Sequence, residues 1–262
     1  MKQLKKTRSK KIYQGTQAVR RAISILKTFT DERPSWALTD LSKQLGLNKT
    51  TVFRLLAALE NERLVVHDPE KETYTLGSEM IVLGGRALRS SSLRQVSREE
   101  LKALADTSGE TASLEVLSGK EVIILDEVVG DHLMGGVPSI GTRWPAFATS
   151  TGKAILAFSP EDEVDAILKG PLPKITPKTI TSAEILRKQL MEVRDRGYAV
   201  AEEALELGYV AIGAPVHDHD GEVLAAISVG GPTLRLAGKS DEIGVIVRRA
   251  AERISIRLGY RA

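Results

Sequence analysis

The fold of the first part of the chain is decided by the stretch Leu38-Thr39-Asp40-Leu41-Ser42-Lys43-Gln44-Leu45-Gly46-Leu47-Asn48-Lys49-Thr50-Thr51-Val52-Phe53-Arg54. Apolar residues recur on one helical face of its first half, at Leu38, Leu41 and Leu45. Thr39 is predicted to cap this first helix, and Gly46 to end it in a left-handed conformation. Asn48 is predicted to cap a second helix. The stretch therefore predicts two short helices joined by a tight turn.

The second helix divides into an apolar face and a polar face. Its inward positions follow the i, i+3, i+4, i+7 pattern: Val52, Leu55, Leu56 and Leu59. The candidate DNA contacts are Lys49, Thr50, Thr51, Phe53 and Arg54, together with Thr39 and Asn48 at the two helix starts. This division favours a helix-turn-helix whose second helix enters a DNA groove. A helical corner in a protein that never binds nucleic acid is the open alternative.

A hairpin, or wing, is predicted directly after the second helix. The β-prone residues 64–67 and 73–76 flank a turn-rich segment, residues 68–72, in which Lys71 is a further candidate DNA contact. An upstream helix carries Val19, Ala22, Ile23 and Leu26 on one face, which Ile25 and Phe29 widen. The order helix, helix, recognition helix, wing predicts a winged helix-turn-helix.

Positive charge is concentrated at the N-terminal end. Residues 1–75 carry 15 Lys and Arg against 8 Asp and Glu, whereas residues 76–262 carry 22 against 26. A basic arm with almost no apolar content contains Lys2, Lys5, Lys6, Arg8, Lys10 and Lys11. Such an arm can approach phosphates or a minor groove, although a solvated terminus without a role explains it equally well.

The length of 262 residues suggests two domains. We place the winged helix-turn-helix and its basic arm at residues 1–77, a linker helix at residues 78–92 and a larger domain at residues 93–262. The chain has no apolar run of 18 residues, no secretory signal and no cysteine. Membrane spans, disulfides and thiolate-bound metals are therefore not expected, and a cytoplasmic location is.

The larger domain combines paired strands with helices. Two hairpins are predicted, one from residues 111–117 and 122–128 and the other from residues 210–217 and 222–229. Helices are predicted at residues 93–107, 151–158, 161–168, 182–195 and 240–258. Because hairpins pair neighbouring strands antiparallel, the domain is predicted to be α+β, not a doubly wound parallel sheet.

A cluster of hydroxyls precedes one of these helices, at Ala148-Thr149-Ser150-Thr151-Gly152-Lys153. Free N–H groups near Ser150, Thr151 and Gly152, together with the helix dipole, favour a bound carboxylate or phosphate there. A nucleotide P-loop is ruled out because Ala154 follows the lysine and no glycine stands where that motif begins. A Ser/Thr-capped helix without a ligand is the open alternative.

Other candidate chemistry is weak. His217-Asp218-His219-Asp220 holds metal-capable side chains, but its place on a turn favours solvated turn residues. Glu202-Glu203 offers paired carboxylates for acid–base work, although a surface pair explains them as well. The sequence contains no nucleophile elbow, zinc-protease motif or dinucleotide fingerprint, so no catalytic residue, metal ligand or cofactor is predicted.

Taken in order and spacing, the whole chain resembles the IclR family of bacterial transcriptional regulators. The segments that carry the resemblance are residues 18–26, 38–59, 74–77, 151–157, 211–216 and 226–232. The resemblance implies an N-terminal winged helix-turn-helix, a linker helix and a C-terminal GAF-like antiparallel sheet with flanking helices. It also implies a homodimer, or a dimer of dimers, that binds double-stranded operator DNA under the control of a small carboxylate.

The resemblance also places an effector pocket in the larger domain, which would serve effector binding and oligomerisation. Carried over by position, its residues are Leu133, Gly136, Trp144, Ser150, Thr151, Gly152, Glu203, Ala211, Ser228 and Gly230. Ala211 and Gly230 depart from the family, because Cys or Ser is common at the first position and Ser at the second. Ala204 stands where a second acid is found, and Trp144 replaces an aliphatic residue, either as a wall for a ring or as filling.

Three functions remain in play at the level of sequence. A ligand-responsive regulator of a catabolic operon, acting as a repressor or an activator, explains the charge asymmetry, the wing and the hydroxyl-rich helix start together. A constitutive DNA-binding architectural protein explains only the first domain. An enzyme with a nucleic-acid-binding module needs a catalytic constellation that the sequence lacks.

Overall fold

The computed structural model describes residues 15–131, 140–236 and 238–261, and it divides into two compact units between Ser90 and Ser91. The predicted basic arm and the predicted pocket residues Leu133 and Gly136 lie outside the described residues. No helix in the described part of the chain is long and apolar enough to cross a membrane.

The first unit is a winged helix-turn-helix, as predicted. Its elements are α1 (Gln17–Leu26), β1 (Ser35–Ala37), α2 (Leu38–Leu45), α3 (Lys49–Asn61), β2 (Val65–Asp68), β3 (Thr73–Leu76) and α4 (Ser78–Arg89). The predicted hairpin is β2 and β3, and β1 adds a third strand on the other side of β3. Strand β1 was not predicted because three residues are too short to show an alternating pattern. Helix α4 covers most of the predicted linker.

The core of this unit corrects the predicted face of α1. Ile25 is fully buried and Phe29 nearly so, whereas Val19 and Ile23 are 60% and 45% exposed. The residues that pack into the core are Ala22, Ile25 and Leu26 of α1 and Phe29, which lies just after the helix. These positions also follow the i, i+3, i+4, i+7 pattern, so periodicity alone could not separate the two overlapping faces.

Three residues were predicted to cap or end α2 and α3, and the structure confirms Gly46 and Asn48. Gly46 adopts φ 62°, where a residue with a Cβ would be strained, and the Asn48 side chain accepts the Thr51 N–H at 2.8 Å. The predicted cap at Thr39 is wrong. Helix α2 already begins at Leu38, because β1 runs straight into it and the extended Ala37 takes the cap position.

The second unit contains an antiparallel sheet with helices, which confirms the α+β class. Its elements are α5 (Ser92–Ser108), β4 (Thr111–Ser118), β5 (Glu121–Val128), β6 (Arg143–Pro145), α6 (Ser150–Phe158), α7 (Glu161–Leu168), α8 (Ala183–Arg196), β7 (Ala199–Glu202), β8 (Tyr209–His217), β9 (Val223–Pro232), α9 (Thr233–Leu236) and α10 (Ser240–Arg257). The strands lie in the order β6-β5-β4-β9-β8-β7. Both predicted hairpins are present, whereas the short elements β6, β7 and α9 were not predicted.

Helices cover both faces of this sheet. Helices α5 and α10 pack on one face, against Leu114, Ile212 and Ile227. Helix α6 packs on the other face, against β8 and β9, with α8 behind it. Successive strand residues point to opposite faces. Ser113 pairs with Ser228 across the sheet, and the adjacent Leu114 pairs with Ile227. Because Leu114 and Ile227 face α5 and α10, Ser113 and Ser228 face α6.

Candidate DNA interface and effector site

Helix α3 presents a polar surface with one aromatic residue on it. Lys49, Thr50 and Arg54 are exposed, and Phe53 is 54% exposed despite its size. The buried Val52, Leu56 and Leu59 hold the opposite face in the core. The Asn48 cap fixes the first turn, so these side chains project from a helix with a defined start.

The wing and the start of α2 carry the other predicted DNA contacts, Lys71 and Thr39. Asp68 accepts the N–H groups of Glu70 and Lys71, and these bonds lower the pKa of its carboxyl and fix the turn of the wing. The exposed Lys71 ammonium lies 3.4 Å from the Asp68 carboxylate. Thr39 is exposed in the first turn of α2, and the cap position there belongs to Ala37, so the Thr39 side chain faces solvent.

In the second unit, buried polar residues meet on the sheet face that α6 covers. We call Ser113, Glu115, Thr151 and Ser228 the Glu115 cluster. Thr151 Oγ1 donates to Glu115 Oε2 at 2.6 Å, Ser113 Oγ donates to Glu115 Oε1 at 3.0 Å, and Ser113 Oγ lies 2.9 Å from Ser228 Oγ. All four residues are buried. Burial raises the pKa of the Glu115 carboxyl, against the lowering effect of the two hydroxyl donors, and Glu127 raises it further.

Two further polar residues adjoin the Glu115 cluster. Glu127 is paired directly with Ser113 across the sheet, and its Oε2 is buried without a hydrogen-bond partner. The hydroxyl of Tyr209 lies over Gly230, since a Cβ built on that glycine would be 2.4 Å from it. Tyr209 thus fills the space above Gly230. Burial, and then the Glu115 carboxyl, raise the pKa of Tyr209 to about 12.

The start of α6 is packed on both sides. A Cβ on Gly152 would lie 2.1 Å from the carbonyl oxygen of Ala146, and one on Gly213 would lie 3.0 Å from the backbone nitrogen of Thr151. The Gly152 N–H donates to the Thr149 hydroxyl at 3.0 Å. The Gly152 N–H was predicted to bind a ligand, but it already donates to the Thr149 hydroxyl that caps the helix.

The remaining predicted pocket residues are dispersed. Ala211 is paired with Gly230 beside the Glu115 cluster. Trp144, on the edge strand β6, packs against the apolar core that contains Phe147 and the buried residues of α6. Glu203 has φ 52°, and its carboxylate accepts the Gly208 N–H at 2.9 Å, so it shapes the turn before β8. The structure brings Ser228, Thr151, Ala211 and Gly230 together and leaves Trp144 and Glu203 in structural contacts.

Sequence reasoning missed Glu115 and Tyr209. Glu115 stands between two apolar residues of a hairpin strand, a pattern typical of a strand with one face in water. The signal that could have found it is the number of predicted helices, because five helices around two hairpins cover both faces of a sheet and bury such a carboxyl.

The potential metal ligands of the turn after β8 are explained by the turn itself. Asp218, His219 and Asp220 bring three potential metal ligands within 4.8 Å, but the Asp218 carboxylate accepts the N–H groups of Asp220 and Glu222 and thereby closes the turn. On the opposite face of the sheet a cavity of about 490 Å³ lies between α5, α9 and α10. The Arg235 guanidinium there is paired with the buried Glu110 carboxylate.

Fold and site together define a winged-helix protein of the DNA-binding class, with a second, α+β domain that buries a polar cluster. Two family models match the chain: the IclR helix-turn-helix domain over residues 18–69 and the bacterial transcriptional regulator IclR C-terminal domain over residues 85–256. The chain belongs to the IclR family and is a ligand-responsive DNA-binding transcriptional regulator. Because members of this family are transcriptional regulators, the enzyme alternative is set aside.

Individual relatives agree with this assignment. The HTH-type transcriptional regulator XynR of Escherichia coli (strain K12) is 33% identical over 84% of this chain and 88% of its own length. A solved IclR transcriptional regulator from Silicibacter sp. TM1040 has a TM-score of 0.83 and 28% identity, over 94% of this chain and 97% of that chain. An IclR homologue from Microbacterium hydrocarbonoxydans, solved with 4-hydroxybenzoate, has a TM-score of 0.78 and 26% identity, over 92% and 98% of the two chains.

Proposed function

We propose that this regulator binds an inverted-repeat operator as a homodimer, or as a dimer of dimers, and that a small organic or aromatic acid bound beside the Glu115 cluster changes its affinity for DNA. The regulated genes would form a catabolic operon, read in the cytoplasm. The observation that carries the proposal is a buried polar cluster in the domain that the family uses for effectors. Nothing in the packing of the core requires a buried carboxyl there.

The DNA contacts are assigned from exposure in the first unit. Helix α3 enters the major groove, where Arg54 and Lys49 can reach base edges and Phe53 can contact a thymine methyl group. Asn48, Thr50 and Thr51 lie at the start of the same helix, where N–H groups and hydroxyls meet phosphates. Lys71 of the wing and Thr39 of α2 contact the flanking backbone.

Apolar surface in the first unit supports assembly with a second copy. Val19 and Ile23 of α1 are exposed, and α4 has no buried residue although it carries Ile81, Val82 and Leu83. An exposed helix this apolar is expected to find a partner surface. A two-fold dimer would place two copies of α3 on one side of the DNA, about one helical turn, or ~34 Å, apart.

The effector site is assigned to the sheet face beside α6. Ser228 and Thr151 belong to the Glu115 cluster, and Ser150 is buried beside Thr151 at the start of α6. Ala211 and Gly230 are paired on β8 and β9 next to them, with the Tyr209 hydroxyl over Gly230. By resemblance, the site also includes Leu133 and Gly136, which lie outside the described residues, and Trp144, Gly152 and Glu203, which the structure holds in packing, cap and turn contacts. The bound 4-hydroxybenzoate in a protein of the same fold supports a small acid as the class of effector.

The test is operator affinity measured with and without acids. The full chain is titrated against duplexes from the region upstream of its own gene, in a panel of aliphatic and aromatic acids. We expect at least one acid to change the affinity, by no more than the ratio of its affinities for the two states of the protein. Sequence-specific binding that no acid alters would favour a constitutive architectural protein.

A further inference from the structure

We propose that Glu115 determines which effector binds: the ligand directs a hydroxyl or amine donor at Glu115 and holds its own carboxylate away from this end of the site. This inference rests on the effector site proposed above. It follows from the direction of the hydrogen bonds in the Glu115 cluster and from the charges around it.

The hydrogen bonds of the cluster all run toward the carboxyl. Each hydroxyl has a single hydrogen to donate. Thr151 and Ser113 give theirs to the two oxygens of Glu115, and Ser113 can then only accept the hydrogen of Ser228. The three hydroxyls therefore have no hydrogen left to donate, and the cluster can offer a ligand only acceptor lone pairs, chiefly those of the Glu115 carboxyl.

An anion and a phenol hydroxyl lie beside the cluster, and the phenol keeps its hydrogen because its pKa is raised. Glu127 has a buried oxygen without a partner and raises the pKa of Glu115 through its negative charge. The Tyr209 hydroxyl lies close enough to the Glu115 carboxyl for that charge to raise its pKa. A carboxylate placed here would meet negative charge with no free hydroxyl donor from the cluster.

Three cations on α6 and α5, Lys153, Arg94 and Arg98, are directed away from Glu115. Lys153 follows the start of α6, but its ammonium lies 3.4 Å from the Val200 carbonyl oxygen of β7. Arg94 and Arg98 of α5 bind the Asp126 carboxylate, which lies on the opposite face of β5 from Glu127. None of these cations is among the groups that shift the pKa of Glu115.

A ligand with a donor group satisfies this site without a new charge. A hydroxyl or amine can share the lone pairs of Glu115, while its carboxylate points toward the far end of the site. Sites built to bond a hydroxyl reject the analogue that lacks it, because the buried polar group is then left unpaired. The opposite arrangement, with a protonated Glu115 donating to a ligand carboxylate, predicts no such discrimination.

The experiment uses pairs of acids that differ in one donor group. Calorimetry with the full chain compares benzoate with 4-hydroxybenzoate and 4-aminobenzoate, propionate with 3-hydroxypropionate, and succinate with malate. The same pairs are measured with Glu115→Gln, and with Glu121→Gln as a control at a half-exposed position of the same hairpin, where Glu121 pairs with Arg143. The comparison within the unaltered chain needs no variant, so it stands even if Glu115→Gln fails to fold.

We expect the donor-bearing member of at least one pair to bind roughly 10-fold or more tightly than its partner. This ratio should fall toward one in Glu115→Gln and stay unchanged in Glu121→Gln. Equal or tighter binding of the plain acids, an unchanged ratio in Glu115→Gln, or no binding of any donor-bearing acid up to millimolar concentration would overturn the inference. If a plain acid binds equally well and still alters operator affinity, the proposed function stands and only the role of Glu115 is lost.

Discussion

Arg54 projects from α3 on the side away from Val52 and Leu56, so its guanidinium can reach a base edge without any change in the core. The same helix holds a nearly full apolar face in the protein, which separates its role in stability from its role in recognition. Substitutions on the two faces should therefore have different effects, one on DNA affinity and the other on the free energy of unfolding.

Arg54→Ala is expected to weaken specific operator binding by about 1–3 kcal/mol, or roughly 5- to 150-fold, and to leave thermal unfolding unchanged. The affinity of the unaltered chain should also fall steeply as salt is raised. Gel-shift titrations at two salt concentrations measure both effects, with Lys102→Ala, an exposed charge on α5, as the control. An unaffected operator affinity in Arg54→Ala would remove Arg54 from the interface.

Glu115 makes a second prediction at the scale of one residue. Its folded-state pKa is raised above the ordinary 4.5, chiefly by burial, so ionisation is harder in the folded chain than in the unfolded chain. Below the ordinary pKa both states are protonated and Glu115 carries no penalty. As the pH rises from that value to the raised pKa, the unfolded state ionises first and stability is lost.

Glu115→Gln removes this titration. The free energy of unfolding of the variant, relative to the unaltered chain, should therefore increase as the pH is raised from about 5 to about 8. Urea unfolding at a series of pH values measures the difference, and the titrations that both proteins share cancel. A difference that is flat across this range would show that Glu115 ionises normally in the folded chain.

At the scale of elements, periodicity and turn residues predicted the long helices and both hairpins. They failed for β1, β6, β7 and α9, because three or four residues do not complete a pattern; β2 and β3 are as short, but the turn between them revealed the hairpin. Local sequence also could not tell which overlapping face of α1 packs inward, since that depends on the residues opposite it. The number of predicted helices could have indicated that Glu115 is buried, but its hydrogen-bond partners could not be predicted, because they lie on β4, β9 and α6 and meet only in the folded domain.

The close approach of α6 to its neighbours gives a prediction about two glycines. Gly152→Ala should destabilise the second unit by about 1–3 kcal/mol, since its Cβ would lie 2.1 Å from the Ala146 carbonyl oxygen. Gly84→Ala, on exposed α4, meets nothing within 4 Å and should be neutral or stabilising by up to about 1 kcal/mol. Calorimetric unfolding compares them. Equal transitions would show that α6 is not tightly packed.

At the scale of the whole molecule, regulation requires that two copies act together on DNA. Ile81 is 79% exposed on α4, so Ile81→Glu should leave the fold intact, weaken the dimer and lower operator affinity. Sedimentation across a concentration series measures the association. Ile185→Glu, at an exposed position of α8, is the control. Unchanged association in Ile81→Glu would place the dimer contact elsewhere.

The central claim is that α3 and the wing bind an operator and that a small molecule bound in the second domain changes this binding. Footprinting of the full chain on the DNA upstream of its own gene, with and without a binding acid, tests it most directly. We predict protection of an inverted repeat with half-sites roughly one helical turn apart, and an altered protection pattern when the acid is added. A single unpaired protected site, or a footprint that no bound acid changes, would contradict the account.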